Sequence, residues 1–162
     1  MKTLALALLA ALAVGACGGD DDRELTADER AMVDDLADQF IADFTGVADN
    51  RLITDDEASC FGENVVRGVG LDTAEEFLEQ DIADDFAMAQ ADADRIADAL
   101  VSCVDLEALY RGGLTGLLED EQLECAAEGL ARLGADPFAQ EFSGENPDGL
   151  LNDIAEDCDL PF

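Results

Sequence analysis

The chain of 162 residues carries 40 acidic side chains against 8 basic ones, a formal net charge of −32, and it contains five cysteines but no histidine or tryptophan. Because 49% of the residues are apolar, the chain can bury a core, and its length suits a single domain. The charge excludes nucleic-acid binding through a basic surface. The absence of histidine argues against most hydrolases and most transition-metal sites.

The N-terminus has the features of an export signal. Lys2 provides a short positive region, an apolar run extends from Leu4 to Val14, and the small residues Gly15 and Ala16 follow. The apolar run is shorter than the roughly 20 residues that a permanent membrane-spanning helix requires. We therefore expect this segment to be cleaved after export.

Residues 14–17 read Val-Gly-Ala-Cys and resemble the lipobox of bacterial lipoproteins, a resemblance confined to the beginning of the chain. The resemblance implies that residues 1–16 are a lipoprotein signal peptide and that Cys17 becomes diacylated. It also implies that the protein lies on the extracytoplasmic face of the cell membrane. Two acyl chains are enough for stable anchoring, which lipid headgroups could not give to so acidic a chain. The alternative is an ordinary secreted protein that is cut after Ala16 and has a free Cys17.

The segment after the lipobox is polar. Residues 18–22 read Gly-Gly-Asp-Asp-Asp, and we expect residues 17–24 to form a flexible acidic tether for a folded domain that spans residues 25–162. Removal of residues 1–16 takes away the single lysine and none of the 40 acids. The acidity fits either a solvated surface suited to high salt or a surface that binds a basic partner.

Apolar periodicity predicts an all-α domain. Met32, Leu36, Phe40 and Phe44 recur at four-residue steps, and acids are available for the opposite side of the same helix. No alternating run of β-branched residues indicates a sheet. The predicted helices cover residues 27–45, 55–69, 73–89, 92–110, 119–133, 137–143 and 147–157.

Local signals place the helix ends. Three segments have the spacing of a capping box, in which the first side chain accepts a hydrogen bond from the N3 amide: Thr26–Glu29, Thr54–Glu57 and Asp72–Glu75. Gly70 and Gly134 fit the position of the left-handed residue that follows a helix. Pro137 and Pro147 fit the first turn of a helix, with Asp136 and Asn146 as the capping residues before them.

The sequence contains an internal repeat. Two segments that end in cysteine, residues 56–60 and 121–125, align with each other, and two later segments that also end in cysteine, 96–103 and 151–158, do the same. We therefore predict two tandem helical units, residues 53–110 and 117–162, behind one N-terminal helix.

Four cysteines follow Cys17, and in an exported protein they are expected to form two disulfides. The repeat predicts the pairs Cys60–Cys103 and Cys125–Cys158, each of which closes one unit. The rival pairing, Cys60 with Cys125 and Cys103 with Cys158, would intertwine the two units. A zinc site is disfavoured because the cysteines form no CxxC pair and no histidine could complete the ligand set.

One acidic cluster is a weak candidate for a cation site: Asp84, Asp85, Asp92, Asp94 and Asp98. Its spacing lacks the central glycine and the closing glutamate of an EF-hand, and a like-charged helix face is usually only solvated. The glycine-rich stretch 111–116 lacks the lysine of a phosphate loop and is interpreted as a linker between the units.

The aromatic residues have two interpretations. Five phenylalanines are expected to fill the core or, alternatively, to line a groove for an apolar ligand or a partner helix: Phe61, Phe77, Phe86, Phe138 and Phe142. Tyr110, the single tyrosine, is expected to be partly buried at a helix end.

These features favour a non-catalytic, membrane-anchored lipoprotein whose acidic helical domain binds or spaces something outside the membrane. Its expected partners are the membrane, through the lipid, and a basic protein or a cation, and no cofactor or nucleic acid is expected. The alternatives are a Ca²⁺-binding lipoprotein and a hydrolase that uses a pair of carboxylates.

Overall fold

The structure is a computed structural model that describes residues 23–44, 51–79, 87–146 and 148–160. Within these ranges the chain forms helices and no strand, which confirms the predicted all-α class. The predicted signal peptide, Cys17 and the tether up to residue 22 lie outside the described residues. The helices are α1 Ala27–Asp43, α2 Asp55–Val69, α3 Leu71–Glu79, α4 Gln90–Cys103, α5 Leu106–Leu114, α6 Asp120–Leu133, α7 Asp136–Phe142 and α8 Asp148–Asp157.

Two of the predicted capping boxes begin α1 and α2. The Thr26 hydroxyl accepts from the Glu29 amide at 3.2 Å, and the Glu29 carboxylate accepts from the Thr26 amide at 2.8 Å. Thr54 and Glu57 form the same reciprocal pair at 3.2 and 2.9 Å. Each box satisfies two amides that the first helical turn leaves without a helical partner, so the sequence signal and the helix start coincide.

The prediction of one helix over residues 73–89 is wrong at both ends. Gly70 has a φ of 83° and turns the chain directly into α3, so Asp72 lies in the first turn of that helix and does not cap it. Residues 87–89 are not helical, and the Met88 amide donates to the carbonyl of Phe142 in α7 at 3.0 Å. This tertiary hydrogen bond takes the amide that a continuous helix would use internally.

The predicted helix 92–110 is divided into α4 and α5. Val104 is extended, and the Asp105 side chain accepts from the Ala108 amide at 3.1 Å, which starts α5. The Asp105 amide in turn donates to the Glu57 carboxylate at 3.4 Å. The N-terminus of α2 therefore helps to hold the break between the two helices.

The glycine-rich stretch is not wholly a linker, because α5 continues through Gly112 and Gly113 to Leu114. A Cβ atom at Gly112 would lie 2.6 Å from Cδ2 of Leu52, so the absence of a side chain lets Leu52 pack against α5. The prediction of a linker over 111–116 is therefore wrong for its first four residues, and the predicted end of the first unit at residue 110 falls inside α5.

The second half agrees with the predicted boundaries to within one residue. Gly134, with a φ of 60°, ends α6 as expected, and Pro137 lies in the first turn of α7. Helix α7 begins one residue earlier than predicted, so its N-cap is Ala135 and not Asp136. Pro147 lies outside the described residues.

The core combines helices that follow each other in the sequence with helices that are distant in it. Helix α1 packs on α2 and α3, α2 on α4, and α4 on α7, while α5 packs on α6 and α6 on α8. Ala139 and Phe142 of α7 belong to the same core cluster as the buried residues of α1, α2 and α4. The two predicted units therefore share a core. The largest fully buried side chains are Leu36, Ile53, Val65, Val66, Ile96 and Leu100.

The disulfides are Cys60–Cys103 and Cys125–Cys158, with Cα separations of 5.6 and 5.7 Å, which confirms the predicted pairing. Cys60 is the sixth residue of α2 and bonds to the last residue of α4. Cys125 is the sixth residue of α6 and bonds to the residue that directly follows α8, so each bond closes a set of three helices. In the chain-entropy model, loops of this size stabilise a fold by about 4 kcal/mol each. Both bonds, and the core residues that are buried in the described part of the chain, lie between Val33 and Cys158.

Gly62 of α2 lies directly against the backbone of α1. A Cβ atom on Gly62 would lie 2.7 Å from the carbonyl oxygen of Val33 and 3.3 Å from its Cα. Because the Cβ would clash with backbone atoms of Val33, a change of side-chain rotamer could not relieve the clash. The contact therefore requires glycine at this position.

We predict that Gly62→Ala lowers the free energy of unfolding by about 1–3 kcal/mol, because α1 must move away from α2. Gly68→Ala is the matched control in the same helix, since its Cβ would only touch Cβ of Arg95 at 3.7 Å. The control should raise stability by up to about 1 kcal/mol through helix propensity. Urea unfolding followed by circular dichroism measures both. An equal gain in the free energy of unfolding for the two variants would show that α1 and α2 are not in close contact at Gly62.

A second prediction concerns acid unfolding. Hydrogen bonds from Arg23 and then from Thr26 lower the pKa of Glu29 from 4.5 to about 2. Because the folded-state pKa is the lower one, ionised Glu29 stabilises the fold above pH 4.5, and this contribution is lost as the pH falls towards 2. Glu29→Gln should therefore have a lower Tm than the wild type at neutral pH, and the difference should shrink between pH 4.5 and 2. Asp34→Asn, on the exposed side of the same helix, is the control; a pH-independent Tm difference for Glu29→Gln would contradict this role.

Candidate ligand-binding pocket

All six phenylalanines in the described part of the chain line one pocket of about 760 Å³. The volume falls within the roughly 300–1,000 Å³ that small-molecule sites occupy. Four helices supply the rings, and three leucines complete the apolar wall: Phe40 and Phe44 of α1, Phe61 of α2, Phe77 of α3, Phe138 and Phe142 of α7, with Leu36, Leu78 and Leu100. We refer to this space as the phenylalanine pocket.

Two of the four helices present their phenylalanines through the same local pattern. Residues 40–44 of α1 read Phe-Ile-Ala-Asp-Phe, and residues 138–142 of α7 read Phe-Ala-Gln-Glu-Phe. Side chains four residues apart share one face of a helix, so each segment can direct two rings to the same side. The acid before the second ring is exposed in both segments and belongs to the pocket lining.

The rings support one another. Phe40 stacks on Phe61 with centroids 4.3 Å apart and planes 25° apart, and the ring of Phe44 meets Phe40 edge-on at 4.9 Å. Phe77 meets Phe142 edge-on at 5.5 Å. Phe40, Phe61 and Phe142 are buried, whereas Phe44 and Phe77 are half-buried. The buried rings therefore belong to the core, and the half-buried ones provide the more exposed part of the lining.

Tyr110 supports the wall from behind. Its ring stacks on that of Phe138 at 6.3 Å with an interplanar angle of 14°, so α5 braces a pocket ring of α7. Tyr110 is half-buried as predicted, but it lies in the middle of α5 and not at a helix end. Burial and then the negative charge of Glu141 raise the pKa of its phenol to about 12. The tyrosine therefore stays neutral throughout the physiological pH range.

The edge of the pocket is acidic. Four exposed polar side chains contribute to the lining: Gln39, Asp43, Glu79 and Glu141. Gln39 donates to the Asp43 carboxylate at 2.8 Å. None of the three carboxylates forms an ion pair with another described residue, and no described lining residue is basic. We refer to Asp43, Glu79 and Glu141 as the acidic rim.

The phenylalanines singled out in the sequence divide between the two predicted roles. Phe61 and Phe142 are buried in the core, Phe77 and Phe138 are half-buried against it, and all four line the pocket. Phe86 lies outside the described residues. The sequence interpretation did not connect Phe40 and Phe44 with the other rings, and it missed the acidic rim. The repeated Phe-x-x-acid-Phe pattern is the signal that links them.

The candidate cation cluster is not assembled by the described residues. Asp92 pairs with Arg95 at 2.7 Å, and Asp94 accepts from Gln90 at 2.8 Å. Asp84 and Asp85 lie outside the described residues. Within residues 23–44, 51–79, 87–146 and 148–160, no group of three or more acidic, cysteine or histidine side chains is arranged to hold a metal ion.

None of the described helices combines the length and the apolar character that crossing a bilayer requires. Comparisons of the chain with protein-family models, with curated proteins and with solved structures each find no match.

Proposed function

We propose that the protein is a non-catalytic lipoprotein, anchored to the extracytoplasmic face of the cell membrane through Cys17, whose helical domain binds a small apolar ligand in the phenylalanine pocket. The observation that carries this proposal is the convergence of six rings from four helices on one open space. Protein interiors pack as densely as organic crystals, so rings required only for stability would be expected to close such a space. Binding is therefore favoured over a spacer role.

The carboxylates support binding over catalysis. A carboxylic acid that donates a proton near neutral pH is usually kept protonated by an apolar environment. The rim carboxylates Asp43, Glu79 and Glu141 are exposed. The pKa values of Glu29 and Glu57 are lowered, but these two side chains close capping boxes at helix starts. Paired-acid hydrolysis therefore has less support than ligand binding.

The anchor is compatible with this domain. The tether to Cys17 joins the chain before α1, whereas the pocket is built from α1, α2, α3 and α7 and a leucine of α4. A flexible acidic tether would let the pocket face the aqueous side of the membrane. Membrane attachment would then keep the binding domain close to the cell surface without occupying its pocket.

The lipid anchor predicts a difference in fractionation. The full-length wild type expressed in bacteria should partition into the detergent phase, because two acyl chains hold it in the membrane. Cys17→Ala should be released from the membrane or remain unprocessed. Ser59→Ala, an exposed substitution in the folded domain, controls for expression. A water-soluble wild type with an unmodified Cys17 would overturn the lipoprotein proposal.

The pocket predicts binding of N-phenyl-1-naphthylamine, a neutral probe whose fluorescence rises in apolar surroundings. The chain from Gly18 onward, without lipid, retains the whole described fold and avoids partitioning of the probe into membranes. Leu78→Trp, which enlarges a half-buried wall residue, should weaken binding by about tenfold because it fills the space.

Leu117→Trp is the matched control, since Leu117 is 66% exposed and lies outside the pocket lining. Circular dichroism verifies that both variants remain helical. No fluorescence gain with the wild type, or equal probe affinity in Leu78→Trp and Leu117→Trp, would overturn the pocket as the binding site.

A further inference from the structure

We infer that the ligand of the phenylalanine pocket is a small amphiphilic cation, with its apolar part among the rings and its positively charged ammonium-type group at the acidic rim. This inference rests on the proposed function, because it specifies the ligand of the same pocket. It adds a chemical class that burial of apolar surface alone does not determine.

The rim carboxylates come from three different helices. Asp43 is the last residue of α1, Glu79 the last of α3 and Glu141 the last but one of α7. Tertiary packing brings all three into the lining of one pocket, since they are far apart in the sequence. None forms an ion pair with a described residue, so their charges are available to a bound cation.

The helix ends reinforce this charge. The C-terminus of a helix carries a partial negative charge, and a cation is normally stabilised there. Helices α1 and α7 both end at the pocket, with C-caps at Phe44 and Ser143, and neither has a basic residue in its last turn. A ligand cation at the rim would supply the positive charge that these helices lack.

Aromatic faces add a second attraction. A cation within about 6 Å of a ring centroid is attracted by the negative face of the ring, and alkylated ammonium groups are bound in this way. Phe44, Phe77 and Phe138 are half-buried and line the same pocket as the three carboxylates, so each ring keeps exposed surface that a bound cation can contact. The same lining therefore combines formal negative charge with partly exposed aromatic rings.

An anionic amphiphile would meet the opposite situation. Its headgroup would lie among three carboxylates and two negative helix ends, and the described lining offers no basic side chain. The chain as a whole has 40 acids and 8 basic residues, so the long-range field also repels an anion. A neutral amphiphile would gain only from burial of its apolar part.

The test uses three ligands with the same apolar part: 4-phenylbutyltrimethylammonium, 4-phenylbutanol and 4-phenylbutyrate. Their affinities for the chain from Gly18 onward are measured by isothermal titration calorimetry at low salt. The cation should bind about tenfold more tightly than the alcohol, and the carboxylate should bind most weakly. Molar NaCl should reduce the advantage of the cation, because salt screens exposed charges.

A variant separates the rim from the general field. The triple substitution Asp43→Asn, Glu79→Gln, Glu141→Gln should lower the affinity for the cation by about tenfold and leave that for the alcohol within about twofold. The matched control is Asp34→Asn, Glu75→Gln, Asp153→Asn, which removes the same charge from exposed positions outside the pocket lining. The control should retain the cation preference.

The outcomes distinguish this inference from the proposed function. If the naphthylamine probe binds but the three ligands bind equally, the cation inference is overturned and the apolar pocket stands. If both triple variants weaken cation binding equally, the rim is not the determinant and the inference is likewise overturned. If neither the probe nor any of the three ligands binds, the proposed binding function itself is overturned. Sedimentation at the same protein concentrations measures self-association. A dimer that excludes the probe would identify the pocket as an interface between copies of the chain and would overturn both proposals.

Discussion

The close contact between α1 and α2 at Gly62 is the constraint on which the other features depend. With no side chain at this position, the α2 backbone lies against the carbonyl of Val33. This approach places Phe40 of α1 on Phe61 of α2 with ring centroids 4.3 Å apart. Because both rings belong to the core and also line the pocket, the packing that stabilises the domain also shapes its candidate binding site.

The excess of acid makes this packing more important. Several arginines form local pairs along one helix, such as Arg67–Glu63 at 2.7 Å, while Arg111 also reaches Glu124 of α6 at 3.0 Å. Exposed pairs of this kind contribute little stability. A chain with 40 acids is destabilised by its own repulsion, so the apolar core and the two disulfides must provide the compensating stability. The three acids of the acidic rim, which form no ion pair with a described residue, add to that repulsion, and the proposed cation would relieve it.

The candidate site could be predicted only in part. The phenylalanines were identified as core or groove residues, since large aromatic side chains serve both purposes, and the sequence does not state which ones meet. The pattern of Phe40–Phe44 and Phe138–Phe142 places two rings on one face of each helix, but it does not show that those faces point to one space. The acidic rim could not be predicted for another reason. In a sequence with 40 acidic residues, no local pattern distinguishes these three carboxylates from the others.

The sequence by itself determined the features that depend on neighbours three or four residues apart. These are the helical class, the capping boxes at Thr26 and Thr54 and the glycine after α6, because their hydrogen bonds and dihedral angles are local. The internal repeat also predicted the disulfide pairing, which the structure confirms. The tertiary structure decided where α4 ends and α5 begins, that α5 continues through Gly112, and which rings share a pocket. Each of these depends on a contact between residues far apart in the chain, such as Asp105 with Glu57, whose energy no local pattern contains.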